Sequence, residues 1–311
     1  MLSPHQITSF ENTTGTSSRG AFTIGKEIAR GSFINVFAAK WGDQECVCKI
    51  TPVTNGRSEL ENDIIWLRTI SRSSSMMVPE PIMMIELETH HLLFQQRLDR
   101  SLADLHACSP SWFTKDVCKK ICHDMLLILH RFHRCGVVYG DLKVENIMIG
   151  YGDTKDTLRL VDMGGVAYIG RPVLNHGTLL TCSLANHYGN PLTIASELES
   201  LAYVIADLYQ GLPWDNDNGC PDGLPDHEAD VYMRNAVKKA KETETLFGDF
   251  PEMRHFLNAA KAGYEDWEMY RDLVKTGVQA YPWSGKELPP LEIKSPSPFP
   301  LNTSPGASRV Y

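Results

Sequence analysis

Apolar positions recur along this chain in two rhythms, and the change between them divides it. Up to about residue 96 the apolar runs are short and strand-like, as in Cys46-Val47-Cys48-Lys49-Ile50, where period-2 alternation puts Val47 and Lys49 on one face. One helix interrupts them: Leu60, Ile64 and Leu67 recur at helical spacing behind Ser58-x-x-Glu61, a capping-box signature, so a helix is predicted from Ser58 onward. Beyond residue 97 the helical rhythm takes over, strongest over 117–132 and 198–209, with a charged helix over 229–243 behind a Gly-, Pro-, Asn- and Asp-rich loop at 215–226. Two short apolar runs, Ile147-Met148-Ile149 and Leu158 to Val161, flank the polar turn Gly152-Asp153-Thr154-Lys155-Asp156 and predict a hairpin. The expected class is α+β, with a small antiparallel sheet unit carrying one helix and a larger, mainly helical unit. No internal repeat is present.

The hairpin brings chemistry together. Its open ends are Asn146 and Asp162, so an amide oxygen and a carboxylate should face one point, a donor set that suits Mg²⁺ with phosphates and water in its other positions. Asp141, five residues upstream, can orient or deprotonate an attacking hydroxyl, and Lys143 can neutralise a transferring phosphoryl group.

Composition bounds this picture without redirecting it. At 311 residues and 42% hydrophobic content the chain can bury one two-part domain and little else. Lys+Arg 30 against Asp+Glu 38 gives a net charge of −8, which argues against a general nucleic-acid-binding surface. No apolar run approaches a membrane span, and Met1-Leu2-Ser3-Pro4-His5 lacks the basic start and apolar core of a secretion signal, so a soluble intracellular chain, cytoplasmic or nuclear, is expected. The eight cysteines then read as reduced thiols. Cys118 and Cys122 with His123, and the histidines His123, His130 and His133, lack zinc spacing and read as packing residues. Residues 1–20 are rich in Ser, Thr and Asn and read as a mobile arm, and 284–311 as a Pro- and Ser-rich tail whose Ser295-Pro296-Ser297-Pro298 could accept phosphate.

Over roughly residues 22 to 280 the chain resembles the protein kinases, most closely the casein kinase I branch with the vaccinia-related kinases. Ala29-Arg30-Gly31-Ser32-Phe33-Ile34-Asn35-Val36 and the Val47-Cys48-Lys49 strand can be laid over the kinase Gly-x-Gly-x-x-Gly-x-Val and Val-Ala-Ile-Lys, and Asp141, Lys143, Asn146 and Asp162-Met163-Gly164 over the catalytic and metal-binding motifs. Ser101-Leu102-Ala103-Asp104-Leu105, Gly177-Thr178 with Ser183-Leu184-Ala185-Asn186-His187, Leu198-Glu199-Ser200-Leu201-Ala202-Tyr203-Val204 and Leu212-Pro213-Trp214 carry the likeness to the casein kinase I branch. The resemblance implies a two-lobed fold, an N-lobe over 21–97 and a C-lobe over 98–283, with ATP and Mg²⁺ as cofactors and Ser/Thr protein substrates for a monomeric enzyme. It implies that Ala29, Gly31, Val36 and Val47 cover the nucleotide and that Lys49, held by Glu61, reaches the phosphates. It further implies that Gln96 to Leu98 form the hinge that reads adenine, that Gln95 is the gatekeeper and that Met163 fills a packing place usual for Phe. Thr178 would bond Asp141 and Lys143. For Glu61 the plainer alternative is that it only reaches back to the helix start; Glu59, roughly 200° around the helix from it, is a weaker candidate.

The chain departs from the pattern in four places. Ala29 and Ile34 replace the first and third loop glycines, which predicts a weaker grip on phosphate. Gly140 stands where many kinases carry an Arg that reads a phosphorylated activation loop, so that switch is expected to be absent. Glu197 replaces an Asp that braces the catalytic loop, and its extra methylene leaves the bracing open. Leu179-Leu180-Thr181 offers no basic residue, so the casein kinase I preference for acidic substrates is not carried over. Two other readings stand beside the kinase: a pseudokinase scaffold, motivated by Ala29, Ile34 and Glu197, and a small-molecule kinase, motivated by Gly140-Asp141-Leu142 but opposed by Lys143 and Gly177-Thr178.

Overall fold

The computed structural model describes residues 10–31, 34–53, 59–72, 77–172, 176–215 and 224–289. Ser32 and Phe33 of the phosphate loop, Ser58 of the capping box, most of the 215–226 loop and the Ser-Pro pairs of the tail lie outside them.

The strand-like region forms one antiparallel sheet in the order β1-β2-β3-β4-β6-β5, built from β1 Thr14–Ser17, β2 Gly20–Arg30, β3 Asn35–Trp41, β4 Gln44–Pro52, β5 Pro81–Glu86 and β6 His90–Gln96. Helix α1, Glu59–Ser71, packs on one face of it and the other face closes on its own apolar cluster of Phe37, Cys46, Cys48, Ile50, Leu92 and Phe94. The arm expected over residues 1–20 is corrected in its described part, residues 1–9 lying outside the described residues: Thr14–Ser17 adds an edge strand to β2, and Phe10 packs edge-on to His90. Thr- and Ser-rich segments carry no apolar alternation, so an edge strand with one face in solvent reads like an arm.

The larger lobe is helical: α2 Leu102–Cys108, α3 Lys115–Arg134, α4 Leu184–His187, α5 Ile194–Gln210, α6 Asp226–Thr243, α7 Pro251–Lys261 and α8 Trp267–Leu273. Helix α5 is buried nearly all round and packs between α3 and α7, as a central helix must when apolar residues cover its whole circumference. Two helix starts are capped reciprocally. Ser101 accepts from the Asp104 amide at 3.1 Å while Asp104 accepts from the Ser101 amide at 3.2 Å, and Thr193 with Ser196 does the same for α5. Each such cap is worth about 1 kcal/mol. Two short strand pairs complete the lobe's working face: β7 Val137–Val138 with β10 Ala167–Tyr168, and β8 Ile147–Ile149 with β9 Leu158–Leu160, the hairpin expected from the sequence. The fold is the two-lobed α+β arrangement, with one apolar cluster running from Leu60, Ile64 and Leu93 into the helical lobe. Among the described residues no helix is long and apolar enough to cross a membrane.

Candidate active site

The site lies where the β8–β9 hairpin opens toward the sheet. Asp141 stands at its centre: its Oδ1 accepts from the Thr178 hydroxyl at 2.7 Å, and its Oδ2 lies 3.1 Å from the Lys143 ammonium and 3.2 Å from Asn146 Nδ2. Asn146 also donates to the Asp141 carbonyl at 3.1 Å, which leaves the Asn146 amide oxygen as an acceptor. Across the hairpin Asp162 sits at φ 62°, a strained position for a residue with a Cβ, and uses one carboxylate oxygen to accept from the Gly164 amide. An amide oxygen and a carboxylate oxygen at the two open ends fit a hard divalent cation, so Asn146 and Asp162 are the residues that could hold Mg²⁺.

Lys49 reaches this centre from β4 at 8% exposure. Burial works against its ammonium, but the Asp63 and Asp162 carboxylates outweigh that and hold its pKa above the ordinary value. Lys143 behaves alike, with burial opposed chiefly by Asp141.

The expected Lys49–Glu61 pair is corrected by the geometry. Lys49 Nζ pairs with Asp63 Oδ2 at 2.8 Å, while Glu61 has a side chain 39% exposed and lies 3.6 Å from His91. Two residues turn an α-helix by about 200°, so Glu61 and Asp63 cannot share a face. Leu60, Ile64 and Leu67 are buried, and Asp63 lies on their stripe three residues after Leu60 and four before Leu67. That periodicity could have found it; the capping signature drew attention to Glu61 instead. Asp63 also accepts from the Met163 amide at 3.1 Å, so one buried carboxylate ties the strand lysine to the segment carrying Asp162. Met163 is buried in the core cluster, in the packing place expected of it.

The catalytic loop is braced from below. Glu197, on α5, is 4% exposed; one oxygen accepts from the Gly140 amide at 2.8 Å and the other meets His133 Nε2 at 2.5 Å. The extra methylene therefore leaves the brace made. Gly140 has φ +80°, and a Cβ there would meet the Gly165 carbonyl and come within 2.7 Å of His176 Nε2, so no Arg fits. Gly177, at φ +75°, has the same need, since a Cβ would press on the Gly140 carbonyl at 2.5 Å. The loop after Thr178 is pinned as well: Thr181 donates to the Leu142 carbonyl at 2.6 Å and Trp214 to the Leu180 carbonyl at 2.9 Å.

One residue here carries no mark in the sequence. Lys241, on the charged helix α6, is 0% exposed and donates to the carbonyls of Leu179 at 2.8 Å and Cys182 at 2.6 Å and to His187 Nε2 at 3.0 Å, with Tyr203 and Trp214 rings beside it. Burial lowers its pKa to about 8, and the same burial with Lys241, Arg234 and Lys238 nearby lowers that of His187 to about 3. Lysine is rarely fully buried, so its sequence context gives no reason to expect it inside. Its protons are spent on the loop, so it presents no surface cation there.

On the sheet, Ala29 pairs with Val36, Val36 with Lys49 and Lys49 with Leu93, while Val47 pairs with Gln95. Directly paired residues share a face, so Ala29, Val36, Val47 and Lys49 line one side. The Gly31 amide donates to the Ile34 carbonyl at 2.9 Å and closes the phosphate loop, and Ile34 packs against the inter-lobe core cluster. Glu27 accepts from Arg30 Nε at 2.9 Å and Asn35 Nδ2 at 2.7 Å, stapling the loop's two strands. At the hinge the Gln96 amide donates to the Glu80 carbonyl, Leu98 is buried, and Arg97 stacks on Tyr151 and pairs with Glu45. Cys118 and Cys122 are fully buried in α3, with thiols pushed up by burial.

The protein kinase domain model matches residues 22–197, more than half of the chain, and the chain belongs to the protein kinase family. Its relatives place it on the casein kinase I-like branch: it is 27% identical over 186 residues to a casein kinase 1-like protein of rice (Oryza sativa subsp. japonica), a match covering 55% of this chain and 25% of that protein. It is 29% identical over 208 residues to a probable casein kinase I homolog of Encephalitozoon cuniculi, covering 62% and 64%. A probable serine/threonine-protein kinase of fowlpox virus is 25% identical over 269 residues, covering 76% and 87%. The chain thus spans less than two thirds of the length of the rice and microsporidian proteins.

Proposed function

We propose that this chain is an active serine/threonine protein kinase that transfers the γ-phosphate of ATP to protein hydroxyls. The observation that carries the proposal is the set around Asp141, whose carboxylate meets Thr178 at 2.7 Å, Lys143 at 3.1 Å and Asn146 at 3.2 Å. A scaffold has no physical need to hold a carboxylate, a lysine and an amide in this arrangement.

In this reading Asp141 orients the substrate hydroxyl and takes its proton as the new O–P bond forms and the bond to ADP breaks. Lys143 offsets charge on the transferring group, and Thr178 fixes the carboxylate and favours Ser/Thr over the longer Tyr. Lys49, held by Asp63 in place of Glu61, positions the phosphates, with Ala29, Gly31, Val36 and Val47 covering the nucleotide and the backbone of Gln96 and Leu98 reading the base. Asn146 and Asp162 would hold Mg²⁺, which would supply neutralisation of phosphate charge there. The partners are Ser/Thr-bearing proteins met by a single copy inside the cell, and the acidic balance of the chain disfavours nucleic acid as a partner. The closed phosphate loop with Ile34 turned to the core favours one second reading, a nucleotide-poor regulatory module.

The test is phosphoserine and phosphothreonine detected by mass spectrometry after incubation of the purified chain with Mg-ATP and casein. Incorporation in the wild type and loss by at least about a hundredfold in Asp141→Asn is expected. Equal signal in both proteins overturns the proposal.

A further inference from the structure

His176 sits in a gap that three glycine backbones leave open. Gly140 takes φ +80°, and a Cβ there would meet the Gly165 carbonyl and stand 2.7 Å from His176 Nε2. A Cβ on Gly165 would stand 2.7 Å from the Asp141 Cβ and 3.0 Å from the Tyr139 carbonyl, and one on Gly177 would press on the Gly140 carbonyl at 2.5 Å. The three backbones therefore pack directly on one another, and the space into which a side chain at position 140 would grow is filled by the imidazole.

The imidazole makes a directed bond there. Nε2 lies 2.6 Å from the Gly165 carbonyl, and a carbonyl only accepts, so Nε2 carries the proton and donates. Gly165 ends the turn Met163–Gly165 that follows Asp162. The backbone of His176 is itself fixed from α4: its N–H donates to Asn186 Oδ1 at 3.3 Å, its carbonyl accepts from Asn186 Nδ2, and Asn186 is 3% exposed. Two residues on, Thr178 donates to Asp141. Residues 176–178 thus reach three parts of the centre from one side: the segment carrying Asp162 through His176, the Gly140 backbone through Gly177, and the Asp141 carboxylate through Thr178.

We propose that His176 is a positioning residue whose Nε2–H bond to Gly165 holds the segment carrying Asp162 against the catalytic loop, with no side chain at position 140. The inference rests on the kinase reading above and names the residue that stands in for the arginine switch absent at Gly140. Without the bond the turn that bears Asp162 loosens beside Asp141, and a shift of about 1 Å at a reacting centre costs on the order of a hundredfold in rate, so a partial loss of that size is expected.

The test takes the full chain as wild type, His176→Ala and His176→Gln, whose side-chain amide can donate from about the place of Nε2. Initial rates of phosphate transfer to casein are measured over a range of Mg-ATP concentrations. The proposal predicts that His176→Ala lowers the rate at saturation about ten- to thirtyfold and leaves half-saturating ATP within about twofold, because Lys49 and the hinge are untouched, while His176→Gln stays within about threefold of the wild type. A His176→Ala rate within about twofold of the wild type overturns it. So does a His176→Gln variant as slow as His176→Ala, which marks packing alone. Amide hydrogen exchange of the free proteins, followed by mass spectrometry, is a second arm that needs no activity. His176→Ala should speed exchange over residues 163–168 at least about fivefold and leave α5 unchanged. Unchanged exchange over 163–168, or an equal rise in α5, overturns the proposal. A wild type that transfers no phosphate removes the function proposed above and this role with it, an outcome distinct from an active wild type matched by His176→Ala.

Discussion

Two loops face the same cleft and are held very differently. The phosphate loop between β2 and β3 keeps one glycine of three, has a Gly31 to Ile34 backbone bond and, among the described residues, is stapled at its base by Glu27, Arg30 and Asn35. The catalytic loop is held from four sides, by Glu197 on Gly140, Thr178 on Asp141, Thr181 on Leu142 and the Lys143 and Asn146 contacts to Asp141. The contrast teaches where tolerance lies. A loop that binds phosphate through backbone amides can lose glycines at a cost in affinity, which high nucleotide concentration offsets. A loop that places a proton acceptor cannot move by an ångström without losing rate.

The sharpest way to break this contrast is at the link between the two regions. Asp63→Asn leaves Lys49 buried without its carboxylate and loosens Met163, so kcat/KM for ATP should fall about 30- to 100-fold, whereas Glu61→Gln should stay within about twofold. Steady-state kinetics over a range of ATP concentrations decides it; the reverse ranking would restore Glu61 to the role first expected of it. A smaller effect of opposite sign is expected in the phosphate loop itself. Ile34→Gly restores a glycine and releases the side chain from the core cluster, and should tighten Mg-ATP about three- to tenfold by calorimetry without changing the rate at saturation. A drop in saturated rate would show that the loop does more than grip.

The smallest effect concerns pH and the Lys241–His187 contact. His187 stays neutral in the folded chain down to about pH 3, whereas in the unfolded chain it takes a proton near its ordinary value of 6.5. Its contribution is therefore full above pH 6.5 and is lost as pH falls toward 3, because the unfolded state binds the extra proton. His187→Gln, which can still accept from Lys241, should flatten the fall of stability between pH 6.5 and 4 in chemical denaturation series. Parallel slopes in both proteins would remove His187 from the account.

Much of this architecture is legible in the amino-acid sequence. The hairpin that joins Asn146 and Asp162 follows from two apolar runs and a turn, and the central helix follows from its apolar circumference, because both signals are local. Of the two bonds expected of Thr178, the one to Asp141 is made, and Lys143 meets the other oxygen of the same carboxylate. What the sequence hides depends on tertiary context. The Glu61 capping signature and the Asp63 buried stripe compete on one helix, and packing against β4 decides between them. Lys241 is invisible because its burial requires carbonyls that the loop before α4 supplies from about sixty residues away. Edge strand β1 hides because, among the described residues, one of its sides is paired and the other is not.

We propose a catalytic centre that is intact, with any weakness confined to the phosphate loop. Initial rates of phosphate transfer to casein, measured against Mg-ATP from micromolar to several millimolar for the wild type and Asp141→Asn, test it most directly. The account predicts a wild-type rate that rises and saturates, with half-saturation toward the upper end of the usual range of about 1 μM to 1 mM, and no rate above background for Asp141→Asn at any concentration. A wild-type rate that stays at background even at millimolar ATP, or that matches Asp141→Asn throughout, would contradict it.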